Sequence, residues 1–470
     1  MKTVLLLSLF ASIAAAQTLS NWTTYGGDPQ HSGWERVDTT FSKDTVKDLQ
    51  LLWKMKLETR GKGSSPIMPP LIMGRLISYR GFKELAFVGT NADLVYAIDA
   101  DLGKLFWQKH LEYSTAEPQT TVSCASTAMP TMPAPPVGRG GPGRGAAAPA
   151  PVQGAAGRGT SAFIGGGGPA SIYAISSDGR LHRLNVSTGD DMVEPISVLP
   201  ANSGAGSLNM VDNVIYTVTS SCNDAPSAIW AIDLNIDPPK VTSEPLIDVN
   251  ALAGPVIGTD GAVYAQEGRG TSATLLALNP RELKVKQSFD ATARNPRDDS
   301  MPSPVTFPSK GRDLIVTSNG SALYLLDSAS LGSGTPLYRT PLATVGGLAT
   351  WEDADGTRWV LASVWGSKGS ISAFRVEEQN GKTVLSPAWV SRDIASPLSP
   401  VIANGIVFAL SSGPRATLYA LDATTGKELY SSRNLVTAPA ALTGMTVANG
   451  RVYFGTTDGT LYAFGMYMEH

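Results

Sequence analysis

Short runs of alternating apolar residues, broken by Gly, Pro, Asn and Asp, fill most of this chain, and eight of them share one form. The clearest copies are Val95-Tyr96-Ala97-Ile98-Asp99, Ile229-Trp230-Ala231-Ile232-Asp233, Leu323-Tyr324-Leu325-Leu326-Asp327, Leu418-Tyr419-Ala420-Leu421-Asp422 and Leu461-Tyr462-Ala463-Phe464. Looser copies are Leu181-His182-Arg183-Leu184-Asn185, Leu275-Leu276-Ala277-Leu278-Asn279 and Ile371-Ser372-Ala373-Phe374. Counted at their second residues (96, 182, 230, 276, 324, 372, 419 and 462), every spacing after the first lies between 43 and 48 residues. A period in the forties built from short strands is the mark of a β-propeller, with one four-stranded antiparallel sheet per repeat. The pattern predicts an all-β chain folded as an eight-bladed β-propeller.

Within a repeat the strands can be read singly. Val401-Ile402-Ala403 and Ile406-Val407-Phe408-Ala409-Leu410 flank Asn404-Gly405, and Asn449-Gly450 and Asp260-Gly261 stand at the same place in other repeats. Asn-Gly or Asp-Gly between two apolar runs suits a two-residue hairpin, whose central positions need φ > 0. Pro66, Pro255, Pro304 and Pro400 recur at the first strand. Proline lacks a ladder donor, so it points to an unpaired edge, the innermost strand of a blade.

The ends of the chain complement each other. The last repeat stops near Tyr467 without an outer strand like Gly103-Lys104-Leu105-Phe106-Trp107, while Leu51-Leu52-Trp53-Lys54-Met55-Lys56-Leu57 is a strand with no repeat of its own. Pairing the two closes the ring and removes its free edges. The long first spacing has a compositional cause. Residues 128–168 are rich in Pro, Gly and Ala, with Arg139, Arg144 and Arg158 as the only charges. Such a stretch buries too little apolar area to offset the entropy of ordering, and it reads as an inserted loop.

Composition narrows the function classes. The 470 residues are 42% hydrophobic and 16% charged, with 48 Gly, 32 Pro and a formal charge of -3. No basic stripe is available to neutralise phosphates, which argues against nucleic acid as a partner. Lys2, the apolar run from Val4 to Ala14 and the small residues Ala14-Ala15-Ala16 form a secretory signal pattern, residues 1–16. The expected mature chain (17–470) is exported, periplasmic or secreted, and monomeric. No other apolar run approaches the roughly 18 residues of a membrane span. In an oxidising compartment Cys124 and Cys222 are either bridged or two separate thiols, and both readings stand. There is no Cys-x-x-Cys-His haem motif, and four His make a histidine-rich zinc site improbable. Asn21-Trp22-Thr23, Asn185-Val186-Ser187 and Asn319-Gly320-Ser321 match the short N-glycosylation pattern.

The stretches Val95 to Trp107 and Leu418 to Tyr430, and the opening Trp22-Thr23-Thr24-Tyr25-Gly26-Gly27-Asp28, resemble the repeats and N-terminus of the pyrroloquinoline quinone (PQQ) family of quinoprotein alcohol dehydrogenases. The resemblance spans the mature chain outside 128–168. It implies the eight-bladed quinoprotein propeller, and it extends to non-enzymatic relatives such as the outer-membrane assembly lipoprotein. For an active member it implies PQQ and calcium as cofactors and an alcohol or sugar as substrate.

The same resemblance assigns candidate residues. Asp299, five residues before Pro304-Val305, matches the catalytic aspartate that takes the alcohol proton and contacts the metal. The turn after Val263-Tyr264 matches the one that supplies a calcium ligand. Arg269 stands at the expected Asn position, where a guanidinium cannot ligate a cation; Glu267 nearby is either the oxygen ligand in its place or the partner of Arg269. Apart from the resemblance, the Trp351 and Trp365 indoles suit stacking on a flat cofactor or a sugar, or packing between blades, which is the commoner use. Arg80, Arg294 and Lys368 are candidates to receive cofactor carboxylates at the channel mouth. The adjacent cysteines common in the family are missing. Two classes therefore stay open: a PQQ-dependent dehydrogenase, and a non-catalytic propeller that binds a protein or carbohydrate.

Overall fold

The computed structural model describes residues 19–60, 66–78, 81–111, 128–133, 170–220, 226–247, 249, 252–268, 272–292 and 302–466. They form eight antiparallel sheets arranged as the blades of a propeller, as the period predicts. We number blades in chain order and letter their strands a to d from the channel outward. The a–b and c–d turns then share one face, called lower, and the b–c turns and blade-to-blade connections share the upper face. All eight copies of the repeated motif are c strands, from Leu94–Asp99 in blade 1 to Thr460–Gly465 in blade 8. Alternate residues of a strand point to opposite faces of the sheet, so each c strand feeds the packing on both sides of its blade. Phe454, Tyr462 and Phe464 stack on one face of blade 8 and are all nearly inaccessible. Burying each such ring contributes about 2 kcal/mol.

Blade 8 closes the ring as expected. Gln50–Lys56 serves as its d strand, with Leu51 opposite Phe464 and Trp53 opposite Ala463. Trp53 also explains the Gly-Lys-x-x-Trp motif. Its indole Nε1 donates to Ala100 O, and its ring occupies the space beside Gly103 in the next blade. Trp107 repeats the contact one blade on, with Val186 O and Gly189, and Trp389 repeats it with Ala423 O and Gly426. At the same joint a buried ion pair, Arg451 to Glu84 at 2.8 Å, links blades 8 and 1.

Three expectations change in detail. Ala128 to Met132, taken as the start of the loop, are buried, and Thr131 pairs with Tyr173 as the inner strand of blade 2. Those few residues carry Met129 and Met132 into the core; residues 134–169 lie outside the described ones. Asn404-Gly405 and Asn449-Gly450 have φ > 0 at both positions, the hairpin geometry expected of Asn-Gly, but Asp260 does not share the positive φ of Gly261. Asp260 instead accepts from Ala262 N and from Tyr264 OH, which sets a different turn. The innermost edges are also not left bare. Trp34–Glu35 runs parallel to Val401–Ala403 as a fifth strand of blade 7, and the residues before it cover other blades. Among the described residues no helix is long and apolar enough to cross a membrane.

Candidate functional site in the central channel

The N-terminal segment threads the channel and touches the blades almost in numerical order. Trp22 exchanges backbone hydrogen bonds with Ile72 of blade 1, and Thr23 O accepts from Thr131 Oγ1 and Met132 N of blade 2. Thr24 Oγ1 donates to Leu208 O beside blade 3. Pro29 O accepts from Ile257 N of blade 4, Gln30 O from Thr306 N of blade 5, Ser32 O from Thr350 N of blade 6 and Gly33 O from Ile402 N of blade 7. Asn449, at the lower a–b turn of blade 8, holds Ser20 N and Ser20 O. Inner-strand donors that would face an open channel are thereby satisfied by one peptide. The sequence permits this because the segment can fold tightly on itself. Gly27 has φ +89°, and a Cβ there would sit 2.9 Å from the Trp22 ring.

The segment enters beside the lower turn at Asn449 and rises to a floor made by Tyr25 and His31. His31 Nδ1 lies 2.9 Å from Ser303 Oγ, just before the inner strand of blade 5, and its ring meets Tyr25 edge-on at 5.5 Å. Burial lowers the imidazole pKa to about 4, against the opposing pull of Asp28, so the ring is neutral at ordinary pH. Tyr25 meets Ser399, before the inner strand of blade 7, and burial raises its phenol pKa. Asp28 is occupied by Ser32 N, Ser32 Oγ and Arg36. On the threaded segment and the inner strands around it, Trp22 Nε1, His31 Nε2, Asn209 Oδ1 and Thr306 Oγ1 are buried without a partner. Buried polar atoms are seldom left unpaired, so each of these is a place for an ordered water. The floor therefore offers uncharged donors and acceptors beside an aromatic ring.

The residues expected to hold cofactor and metal are dispersed. Glu267 ends strand b of blade 4 and accepts from Ile247 N at 2.8 Å, where it joins blades 3 and 4. Its neighbour Gln266, missed in the sequence, bonds Ser318 O and Thr317 Oγ1 and ties blade 4 to blade 5. Trp351 is 4% exposed, stacks on Trp359 and packs in the core between blades 6 and 7. Val345 pairs with Val364 and Trp351 with Trp359, so Trp351 and Trp365 sit at opposite ends of one hairpin, roughly 20 Å apart by strand rise. Trp365 donates to Pro397 O and lies against Gly346, which joins blade 6 to blade 7. Lys368 is exposed on the upper b–c turn next to it. Arg80, Cys124, Cys222, Arg269, Arg294 and Asp299 lie outside the described residues. Tyr25 and His31 went unassigned in the sequence, although the opening Trp-x-x-Tyr-Gly-Gly-Asp was its clearest non-repeat signal.

A calcium–quinone centre needs converging oxygen ligands and cations facing three carboxylates. Among the described residues no three His, Cys, Asp or Glu side chains cluster to hold a metal. Glu267, Trp351 and Trp365 are committed to blade joints or core. The described residues do not fit that centre.

Residues 367–466 match the PQQ-repeat family profile described as outer membrane protein assembly factor BamB. Quinohemoprotein alcohol dehydrogenase from Comamonas testosteroni superposes with a TM-score of 0.59 at 15% identity, over 97% of this chain and 82% of that one. The chain is an eight-bladed β-propeller whose last blades match a PQQ-repeat profile. A europium-containing methanol dehydrogenase matches at TM-score 0.57 and 13% identity, over 95% of this chain and 98% of that one. The computationally designed protein Ika8 matches too, at TM-score 0.51 and 12% identity, over 87% and 99%. The ring is thus shared with enzymes and with a designed scaffold alike, and the likeness carries the fold without the chemistry. No curated protein matches the chain in sequence.

Proposed function

We propose that this PQQ-repeat propeller is exported and acts as a binding protein, taking an uncharged polar ligand such as a carbohydrate at the upper mouth of its channel. The observation that carries this reading is the channel floor. Tyr25 is half-buried there, edge-on to the neutral and buried His31, with the hydroxyls of Ser303 and Ser399 beside the two rings. A sugar offers matching hydroxyls and an apolar ring face, whereas an anionic quinone would find no described counter-charge at that level.

The dehydrogenase reading retains one specific support. In the sequence Asp299 lies four residues before Ser303, the residue that meets His31 at the channel floor. One experiment separates the two. The purified mature protein is titrated with PQQ and Ca²⁺ and assayed for dye reduction over alcohols and sugars, and neutral saccharides are titrated in parallel by calorimetry. Saccharide binding that Tyr25→Ala abolishes, without quinone binding, supports the binding protein. Stoichiometric PQQ binding with turnover that Asp299→Asn removes would replace that reading with the enzyme.

A further inference from the structure

The chain carries three Asn-x-Ser/Thr sequons, and the fold treats them very differently. Asn319 is 0% exposed. Its Oδ1 accepts from Ser321 N and Ala322 N and its Nδ2 donates to Tyr324 OH, so both ends of the amide are built into the b–c turn of blade 5. A sugar on that nitrogen would replace a buried donor and has no room. Asn185 is half-buried at the start of a c–d turn in blade 2, its Oδ1 taken by Ser187 N. Trp107 closes that turn by donating to Val186 O.

Asn21 is the contrary case. It is exposed on the lower face, between Ser20, which Asn449 holds, and Trp22, which pairs with Ile72. Only its Oδ1 is engaged, accepting from Gly74 N at 2.9 Å, a contact that fixes the amide with its nitrogen directed away from that bond. Thr23 completes the sequon, and the site lies five residues past the expected leader cleavage.

We propose that Asn21 is the acceptor of an N-linked glycan in the exported chain. The Asn21 nitrogen displaces the diphosphate from the anomeric carbon of a polyprenyl-diphosphate oligosaccharide. The C–O bond to diphosphate breaks, the C–N bond forms and the amide proton passes to a base of the transferase. A glycan there stands at the entry of the threaded segment. Its bulk keeps the segment from being drawn further into the channel, and it leaves the upper mouth unobstructed. The inference rests on export through a glycosylating secretory route and does not depend on what the channel binds.

The test is secretion of the full chain, leader included, from a eukaryotic host, followed by peptide-N-glycosidase treatment in ¹⁸O water and peptide mapping. The expected result is a mass shift of one glycan, conversion of residue 21 to ¹⁸O-labelled Asp, and loss of the shift in Asn21→Gln but not in Asn185→Gln or Asn319→Gln. Mapping of the unaltered chain decides the matter even where Asn21→Gln is poorly secreted. A secreted wild type with no glycan at residue 21, or a single glycan on Asn185 or Asn319, overturns the proposal.

Discussion

Trp53, on the strand that closes the ring, donates its indole N–H to Ala100 O at 2.9 Å and lies flat against Gly103 of the next blade. Gly103 has φ +61°, and a Cβ there would fall 2.4 Å from the indole. Gly103→Ala therefore meets two penalties, a left-handed backbone and an overpacked joint. The expected loss is on the order of 2–4 kcal/mol, read by denaturant unfolding. Gly381→Ala, also at φ > 0 but with open space around it, serves as the control and should lose only about 1 kcal/mol. Equal losses at both sites would mean that the Trp53 contact contributes nothing to closure.

Glu84 gives the ring joint a pH dependence. Burial raises its pKa to about 7, although the Arg451 guanidinium opposes the shift, and Asp101 shares that one guanidinium. The folded chain then holds this proton more tightly than the unfolded one. The contribution to stability is full below the unfolded value near 4.5 and is lost as pH rises through about 7, at about 1 kcal/mol per unit between. Glu84→Gln should flatten that slope in melting temperature measured from pH 5 to 8. A wild type whose stability rises across this window relative to Glu84→Gln would show that the ion pair outweighs burial.

His31 should titrate far below its usual range. With the ring neutral down to about pH 4, its NMR resonances are expected to stay fixed from pH 8 to pH 5. Because the folded pKa is depressed, His31 contributes stability above about 6.5 that is lost as pH falls toward 4. A midpoint near 6.5 would mean that the threaded segment leaves the channel in solution.

The inner strand of blade 2 separates two deletions. If residues 134–168 are the inserted loop that their composition suggests, removing them should leave the melting temperature nearly unchanged. A deletion that starts at Pro130 also removes Thr131 and Met132, which bond Thr23 O and reach the core, and should lower it clearly. Loss of stability in both variants would show that the Pro/Gly/Ala-rich residues pack on the ring.

Channel binding is expected to follow the floor. Tyr25→Phe removes one hydroxyl and little volume, so it should weaken saccharide binding several-fold while leaving the melting temperature almost unaltered. Calorimetry on both proteins, with circular dichroism as the fold control, checks this.

The sequence by itself determined what repetition determines. Leu418 to Asp422 and its seven counterparts recur because each c strand must fill both faces of its blade, and Asn404-Gly405 declares its turn through two left-handed positions. Gly103 to Trp107 marks an outer strand that the last repeat lacks, so blade number was legible from spacing and ring closure from the unpaired strand 51–57. Only the tertiary structure decided the site. Trp351 and Trp365 are close in sequence yet stand at opposite ends of a hairpin, and Glu267 turns to a backbone amide of the neighbouring blade. The role of Tyr25 and His31 depends on Ser399 and Ser303, hundreds of residues away. Local period reports how a strand packs against its own sheet. What converges on the channel axis is set by closing all eight blades around one threaded peptide, and no local pattern records that.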